Sequence, residues 1–311
     1  MASNSTTPRT ELKELLLSEV PRLIVRNDMR GAACTTYAIG GQFEAFADVP
    51  DLETLTQLVK VLAREGLPRR MLGAGSNLLL SSEGISGLTL RLGRGFRYSE
   101  SQGAAGVRVG AASSLMTLSR EVSERGLSGL EFAGGIPASL GGAVVMNAGA
   151  HGGQLSDMLQ SVVVVLPDGS IQTIHSKDLD LSYRHSLLPK GAIVTELLLK
   201  LTPGDPVVIS ERRRHFLAER KARQPLQSPS GGSVFRNPSP DNSAGKVIEE
   251  AGLKGRVHGG AAISELHANW IVNESRAASD RDVKALISLC QSTVKERLGI
   301  NLKPELVMWD Q

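Results

Sequence analysis

The stretch GGIPASLGGAVVMNAGAHGG, residues 134–153, limits what this chain can fold into more than any other feature. Seven of its twenty residues are glycine. Ordering so much glycine is entropically expensive, so a folded protein keeps it where the chain must turn or approach something closely. Two readings fit: a packing loop laid against a sheet, or a cradle for a flat or highly charged group. A second stretch, LGAGSNLL (72–79), raises the same choice. Gly73 and Gly75 permit a tight turn, and the amides of Ala74 to Leu78 could form an anion-binding nest, with Ser76 and Asn77 adding side-chain bonds. An ordinary strand-to-loop turn is the alternative. The dinucleotide fingerprint fails, because Leu78 stands where the third glycine is needed, and the P-loop lysine is absent.

Elements around these stretches can be read from periodicity. A loose Ser/Thr-rich start (1–9) leads to a short helix capped by Thr10 and ended by Pro21. FEAFADV (43–49) alternates as a strand, and residues 51–66 form an amphipathic helix with Leu52, Leu55, Leu58, Val59 and Leu62 on one face. GLTLRL (87–92) and GVRVG (106–110) are further strands. Residues 113–126 form a helix with Ser113 as cap, and a short helix starts near Ser139. SVVVVLPDGSIQTI (161–174) is a hairpin about Asp168-Gly169. After the strand 192–201, the breaker run Pro203-Gly204-Asp205-Pro206 reads as a linker. Helices over 210–223, 243–255 and 279–299 follow, with strands NWIVN (269–273) and KPELVMW (303–309). Without a regular strand–helix alternation, the pattern indicates α+β domains rather than one doubly wound sheet.

The chain has 311 residues, 41% of them hydrophobic, enough for two or three domains with real cores. Aromatics at 4% and a net charge of +3 argue against nucleic-acid binding and suit a small acidic ligand. Cys34 and Cys290 lie far apart, which suggests a reducing, cytoplasmic setting without disulfides. The N-terminus does not read as a secretory signal, no window reaches membrane-spanning length, and the histidines have no metal-ligand spacing.

Ser233, in SPSGGSVFRNP (228–238), is open to several readings. A serine-nucleophile elbow is excluded by Phe235, which stands where a glycine is required. A turn, a phosphate loop and a proton donor all remain.

Seven motifs then occur in a telling order: TTYAIGG (35–41), GAGSNLLLS (73–81), GGIPASLGGAVVMNAGAHG (134–152), SYRHS (182–186), RQPLQSPSGGSVFRNP (223–238), AGLKG (251–255) and KPEL (303–306). Together they resemble the UDP-N-acetylenolpyruvoylglucosamine reductase family, in its short form lacking an inserted substrate-covering loop. The resemblance implies an N-terminal lead-in (1–35), then an FAD-binding unit of the vanillyl-alcohol-oxidase (PCMH) type over 36–204, with two subdomains split near 92. A substrate domain over 205–303 and a final segment (304–311) returning to the active site would follow. It also implies an NADPH- and FAD-dependent oxidoreductase of peptidoglycan precursor synthesis, serving cell-wall biogenesis, cell shape and cell division. Its substrate would be UDP-N-acetylglucosamine enolpyruvate, and it would work as a cytoplasmic monomer with no nucleic acid, membrane or metal.

Carried over residue by residue, the resemblance gives FAD to Gly73, Ala74, Gly75, Ser76 and Asn77, and to Gly134, Gly135, Ile136, Pro137, Gly141, Gly142, Asn147 and Gly149. Ser233 matches the family's proton donor, Arg184 an arginine facing the substrate carboxylate, and Glu305 a glutamate that assists enol formation in its acid form. Asn237 and Arg223 match substrate contacts. Arg212, Arg213 and Arg214 read instead as a solvated helix face. One departure stands out: the family often has Glu-Val-Arg where this chain has Glu305-Leu306-Val307. Two other functions remain open: a different FAD oxidoreductase of the same fold, and a nucleotide-sugar-binding flavoprotein without catalysis.

Overall fold

The structure, a computed structural model, describes residues 9–26 and 28–310, and most of the Ser/Thr-rich start lies outside them. The chain divides into two compact units, each with its own apolar core. The first takes residues up to 27, then 44–73 and 86–216; the second takes 28–43, 74–85 and 217–311.

This division differs from a boundary at 203–206. There the structure has Thr202–Pro203 paired antiparallel with Leu127–Ser128, followed at once by helix Pro206–Arg223. Pro206 opens the helix, where a missing N–H is no loss. The Asp205 carboxylate accepts the Val207 N–H at 2.8 Å. The breaker run is therefore a strand end and a helix start.

In the first unit, helices α1 (Arg9–Glu19) and α2 (Leu52–Arg64) pack together. Thr10 already lies inside α1. The Asp51 side chain caps α2 by accepting the Thr54 N–H at 2.9 Å. Leu55, Leu58, Val59 and Leu62 of α2 are buried, each such leucine contributing about 2 kcal/mol relative to exposure, whereas Leu52, at the first position of the helix, is exposed and not part of that face. The adjoining sheet runs Ile24–Arg26, Phe43–Val49, Ile85–Leu92, Arg69–Met71, the last two parallel. A second, antiparallel sheet runs Ile171–His175, Leu159–Val165, Ile193–Lys200, Gly106–Gly110, Ser99–Gln102. Its hairpin turns at Asp168-Gly169, as the dipeptide indicates.

Helix α3 (Leu115–Glu124) is capped by Ser114, not Ser113: the Ser114 hydroxyl accepts the Thr117 N–H, whereas the Ser113 hydroxyl donates to the Tyr98 carbonyl. Ser139 caps α4 (Leu140–Val145), and α5 is Pro206–Arg223.

In the second unit, α6 (Ala244–Glu250) and α7 (Asp280–Leu298) enclose a core with Tyr37, Val234 and Phe235. Helix α7 is delimited by a Ser279/Asp282 capping box and by Gly299 at φ 70. Three short antiparallel strands, Val257–His258, Ala261–Ile263 and Ile271–Val272, form its sheet. The closing strand Val307–Trp309 pairs parallel with Leu78–Leu80.

Candidate active site

Within the second unit, motifs separated by up to about 230 positions are tied together by backbone hydrogen bonds. Thr36 is the first junction. Its N–H donates to the Gly75 carbonyl at 3.1 Å, its hydroxyl donates to the Ser230 carbonyl at 2.7 Å, and its carbonyl accepts the Ser230 N–H at 3.1 Å. Asn77 is the second: its side-chain amide donates to the Glu305 carbonyl at 3.2 Å, and its carbonyl accepts the Val307 N–H.

The segments carrying Ser233 and Glu305 lie side by side. The Val234 carbonyl accepts the N–H groups of both Glu305 (2.8 Å) and Leu306 (3.3 Å), Phe235 pairs with Pro304, and the Arg236 N–H donates to Lys303. Two successive amides on one carbonyl give a bulge-like kink at Glu305, a device that re-aims a side chain. Ser233 and Glu305 are both half-buried. Gly231 precedes Ser233 where only glycine fits: a Cβ there would lie 2.5 Å from Leu306 and 2.8 Å from Tyr37. Tyr37 is buried and its hydroxyl donates to the Ile271 carbonyl at 2.8 Å.

In the same unit, residues 74–77 form a nest. The N–H groups of Ala74, Gly75, Ser76 and Asn77 donate to no group among the described residues. Gly75 has φ 65, and a Cβ would run into the Cys34 carbonyl, so the turn requires glycine. Successive unmatched N–H groups in a turn of this kind bind anions.

The 134–149 segment of the first unit has a different character. Gly134 and Gly135 are buried at the end of a 3-10 turn, Ile136 is half-buried and Pro137 exposed. The amides of Ile136, Ala138, Gly141 and Gly142 are all taken up inside the unit, by Ala133, Ile136, Ala111 and the Ser139 hydroxyl respectively. The backbone donors of this stretch are therefore largely used within the unit. Gly73 belongs to this unit, and a Cβ there would meet the Ser139 hydroxyl.

Arg184 sits in a tight turn closed by reciprocal Ser182–His185 hydrogen bonds, at φ 56. Its guanidinium donates to the Gly149 carbonyl at 3.2 Å and lies 5.1 Å from the Tyr183 ring centroid. Buried Asn147 holds that turn. Its amide nitrogen donates to the Ser182 carbonyl and to Gln154, each at 3.1 Å, and its amide oxygen accepts the Ser156 N–H at 3.0 Å. The Asn147 side chain thus reaches into the protein.

Asn237 is exposed, and its oxygen accepts the Ala244 N–H at the start of α6. Arg223 is the last, exposed residue of α5. Arg212 departs from a purely solvated face: it pairs at 3.4 Å with Glu131, a buried carboxylate that also accepts from Ser128 and the Gly129 N–H. Thr36 and Asn269 are the residues that pattern reading passes over. Asn269 grips the Phe235 backbone from inside the NWIVN run, where the alternation signals only a strand.

Residues 44–175 match the model of an FAD-binding domain, and residues 224–309 match the C-terminal domain of UDP-N-acetylenolpyruvoylglucosamine reductase. With the two-sheet first unit, this defines an α+β flavoprotein, built from an FAD-binding domain and a C-terminal reductase domain. A UDP-N-acetylenolpyruvoylglucosamine reductase from Symbiobacterium thermophilum is 42% identical over 88% of this chain and 89% of its own length. The Bacillus subtilis protein of that name is 39% identical over 95% of this chain and 96% of its own length. The crystal structure of the Thermus caldophilus enzyme is 38% identical, covers 92% of this chain and 100% of that one, and superposes with a TM-score of 0.81. The chain belongs to the UDP-N-acetylenolpyruvoylglucosamine reductase family.

The residues present fit FAD. The four unmatched amides of 74–77, within the residues matched by the FAD-binding domain, are the donor chemistry a diphosphate needs.

Proposed function

We propose that this protein reduces UDP-N-acetylglucosamine enolpyruvate to UDP-N-acetylmuramate, with NADPH as reductant. FAD, when bound at the 74–77 amides, would supply hydride chemistry between NADPH and the enolpyruvyl methylene carbon. That carbon becomes a methyl group, and the electron pair of the double bond moves to the adjacent carbon and its carboxylate. The protein must stabilise this charge and deliver one proton.

Ser233 delivers the proton. Its O–H bond breaks, a C–H bond forms on the substrate, and solvent returns a proton to the serine. A serine hydroxyl is a weak acid, but a carbanion held close is a strong enough base to take its proton. Arg184 offsets the developing negative charge with a planar, permanently charged group. Glu305 assists enol formation as the acid form. Asn77 holds the Glu305 carbonyl from the side chain of a residue whose own N–H serves the diphosphate. Asn237 and Arg223 contact the substrate, Arg223 at its nucleotide diphosphate. The observation that carries this reading is the hydrogen-bonded pairing of 234–236 with 303–306, which joins the segment after the proton donor to the glutamate's. The enzyme works as a monomer in the cytoplasm, a setting supported by a sequence with two cysteines, Cys34 and Cys290, far apart in the chain.

The test is anaerobic. Flavin-loaded protein is reduced with limiting NADPH, UDP-N-acetylglucosamine enolpyruvate is added, and flavin absorbance is followed by stopped flow. Rapid return of the oxidised spectrum with UDP-N-acetylmuramate as product is the expected result. A flavin that reduces and stays reduced would overturn the substrate assignment.

A further inference from the structure

Asn269 is 4% exposed and makes an unusual pair of bonds. Its side-chain oxygen accepts the Phe235 N–H at 2.9 Å, and its side-chain nitrogen donates to the Phe235 carbonyl at 2.8 Å. Its own carbonyl accepts the Val234 N–H at 2.9 Å. One residue thereby replaces a neighbouring strand along 234–235. On the opposite edge the Val234 carbonyl accepts from Glu305 and Leu306. The dipeptide after Ser233 is thus gripped on both sides, while the dipeptide before it is Gly231-Gly232, with Gly232 at φ 78. On its N-terminal side the nearest hydrogen-bonded anchor is Ser230, held by Thr36 three residues away, so the anchor adjoining Ser233 lies on its C-terminal side.

We propose that Asn269 is a positioning residue for the proton-transfer step, holding Ser233 in register through the Val234–Phe235 backbone. This rests on the assignment of Ser233 as proton donor. Only a group with one donor and one acceptor in a plane satisfies Phe235 at both ends. An ionised aspartate at 269 keeps the acceptor but turns a negative oxygen toward the Phe235 carbonyl. A protonated aspartate restores the donor. The chemical demand at 269 is thus for a neutral amide or its protonated equivalent.

The experiment compares wild type, Asn269→Asp and Asn269→Leu as flavin-loaded enzymes across pH. Flavin reduction by NADPH is expected to be unchanged in all three. Reoxidation by UDP-N-acetylglucosamine enolpyruvate is expected to slow about 100-fold in both variants at alkaline pH, the scale of a small misplacement of a reacting group. As pH falls, Asn269→Asp should recover toward the wild-type rate and Asn269→Leu should not. Hydrogen exchange at Val234 and Phe235, taken relative to wild type at each pH, gives a readout independent of turnover: protection should return in Asn269→Asp with the rate. Wild-type reoxidation and exchange in Asn269→Asp at alkaline pH would overturn the proposal. So would an equal loss of both half-reactions in both variants without recovery, which marks a purely structural role. Ser233→Ala run alongside separates the two ideas. If it reoxidises at the wild-type rate, the proton-donor assignment fails; if it is blocked while Asn269→Asp behaves as wild type, only the positioning role fails.

Discussion

Asn147 in the first unit and Asn269 in the second are both buried with both ends of the side-chain amide engaged, and each holds a segment that carries a residue assigned a role in the proposed reaction. They differ in what they hold. Asn147 reaches the Ser182 carbonyl and so secures a four-residue turn whose arginine sits at positive φ. Asn269 binds both ends of one peptide unit, in a segment already paired along its other edge. A turn fixed at one carbonyl leaves a long charged side chain room to follow its target, and a guanidinium stabilises charge over a range of positions. A hydroxyl that must hand a proton to one carbon has no such tolerance. With the roles proposed above for Arg184 and Ser233, the difference would match the rigidity of each segment to the geometric demand of its group.

The comparison is most directly broken at the two reacting groups. Ser233→Ala should leave flavin reduction by NADPH intact and slow reoxidation by substrate about 1,000-fold, within the range for removal of a general acid. Reoxidation at the normal rate would remove Ser233 from the mechanism. Arg184→Lys should be milder, about 100-fold in the same step, because a charge remains but the planar fork is lost. If Arg184→Lys proves as damaging as Ser233→Ala, the tolerance ascribed to the first unit's turn is wrong.

Much of this was readable beforehand where the information is local. The face of α2, the Asp168-Gly169 hairpin and the ends of α7 each follow from spacing and capping within a few residues. The Ser113/Ser114 choice was not, because adjacent serines differ only in which hydroxyl finds the helix N–H. The breaker run at 203–206 misleads because proline both ends strands and starts helices. The units themselves escape sequence reading: residues 28–43 and 74–85 belong with 217–311 through pairings such as Leu78–Leu80 with Val307–Trp309, which leave no periodic trace. The roles proposed for Ser233, Arg184 and Glu305 rest on the resemblance and not on any local pattern. Thr36 and Asn269 were not legible, since each acts through backbone atoms of residues far away in sequence.

Asn147→Ala sharpens the comparison from the structural side. It strands the Ser156 N–H and removes a donor from the Ser182 carbonyl, so stability should fall by about 1–3 kcal/mol, read as a lower thermal midpoint. Reoxidation should slow less than in Arg184→Lys, because the turn keeps its own reciprocal bonds and the Arg184–Gly149 contact. A rate loss exceeding that of Arg184→Lys would mean that the turn is held as tightly as the serine's segment.

The smallest effect concerns what each asparagine leans on. The Asn269 N–H donates to Nδ1 of His267 at 3.2 Å, so that nitrogen must be unprotonated. Asn147 has a side-chain amide and backbone groups around it, none of which titrates. Burial lowers the His267 pKa below its ordinary 6.5, and nearby Lys254 pushes the same way while Glu249 opposes. The folded protein therefore favours the neutral ring, and below about 6.5 the unfolded chain takes up the proton first. The resulting stability is complete above that pH and is lost as pH falls toward the lower folded value. His267→Gln keeps an acceptor but cannot titrate. The gap in thermal midpoint between wild type and His267→Gln should narrow steadily as pH drops from about 7.5 to about 5.5, within reach of the ordinary histidine range. A gap that stays constant would show that His267 binds protons equally in both states, and that the second unit's clamp is as indifferent to pH as the first.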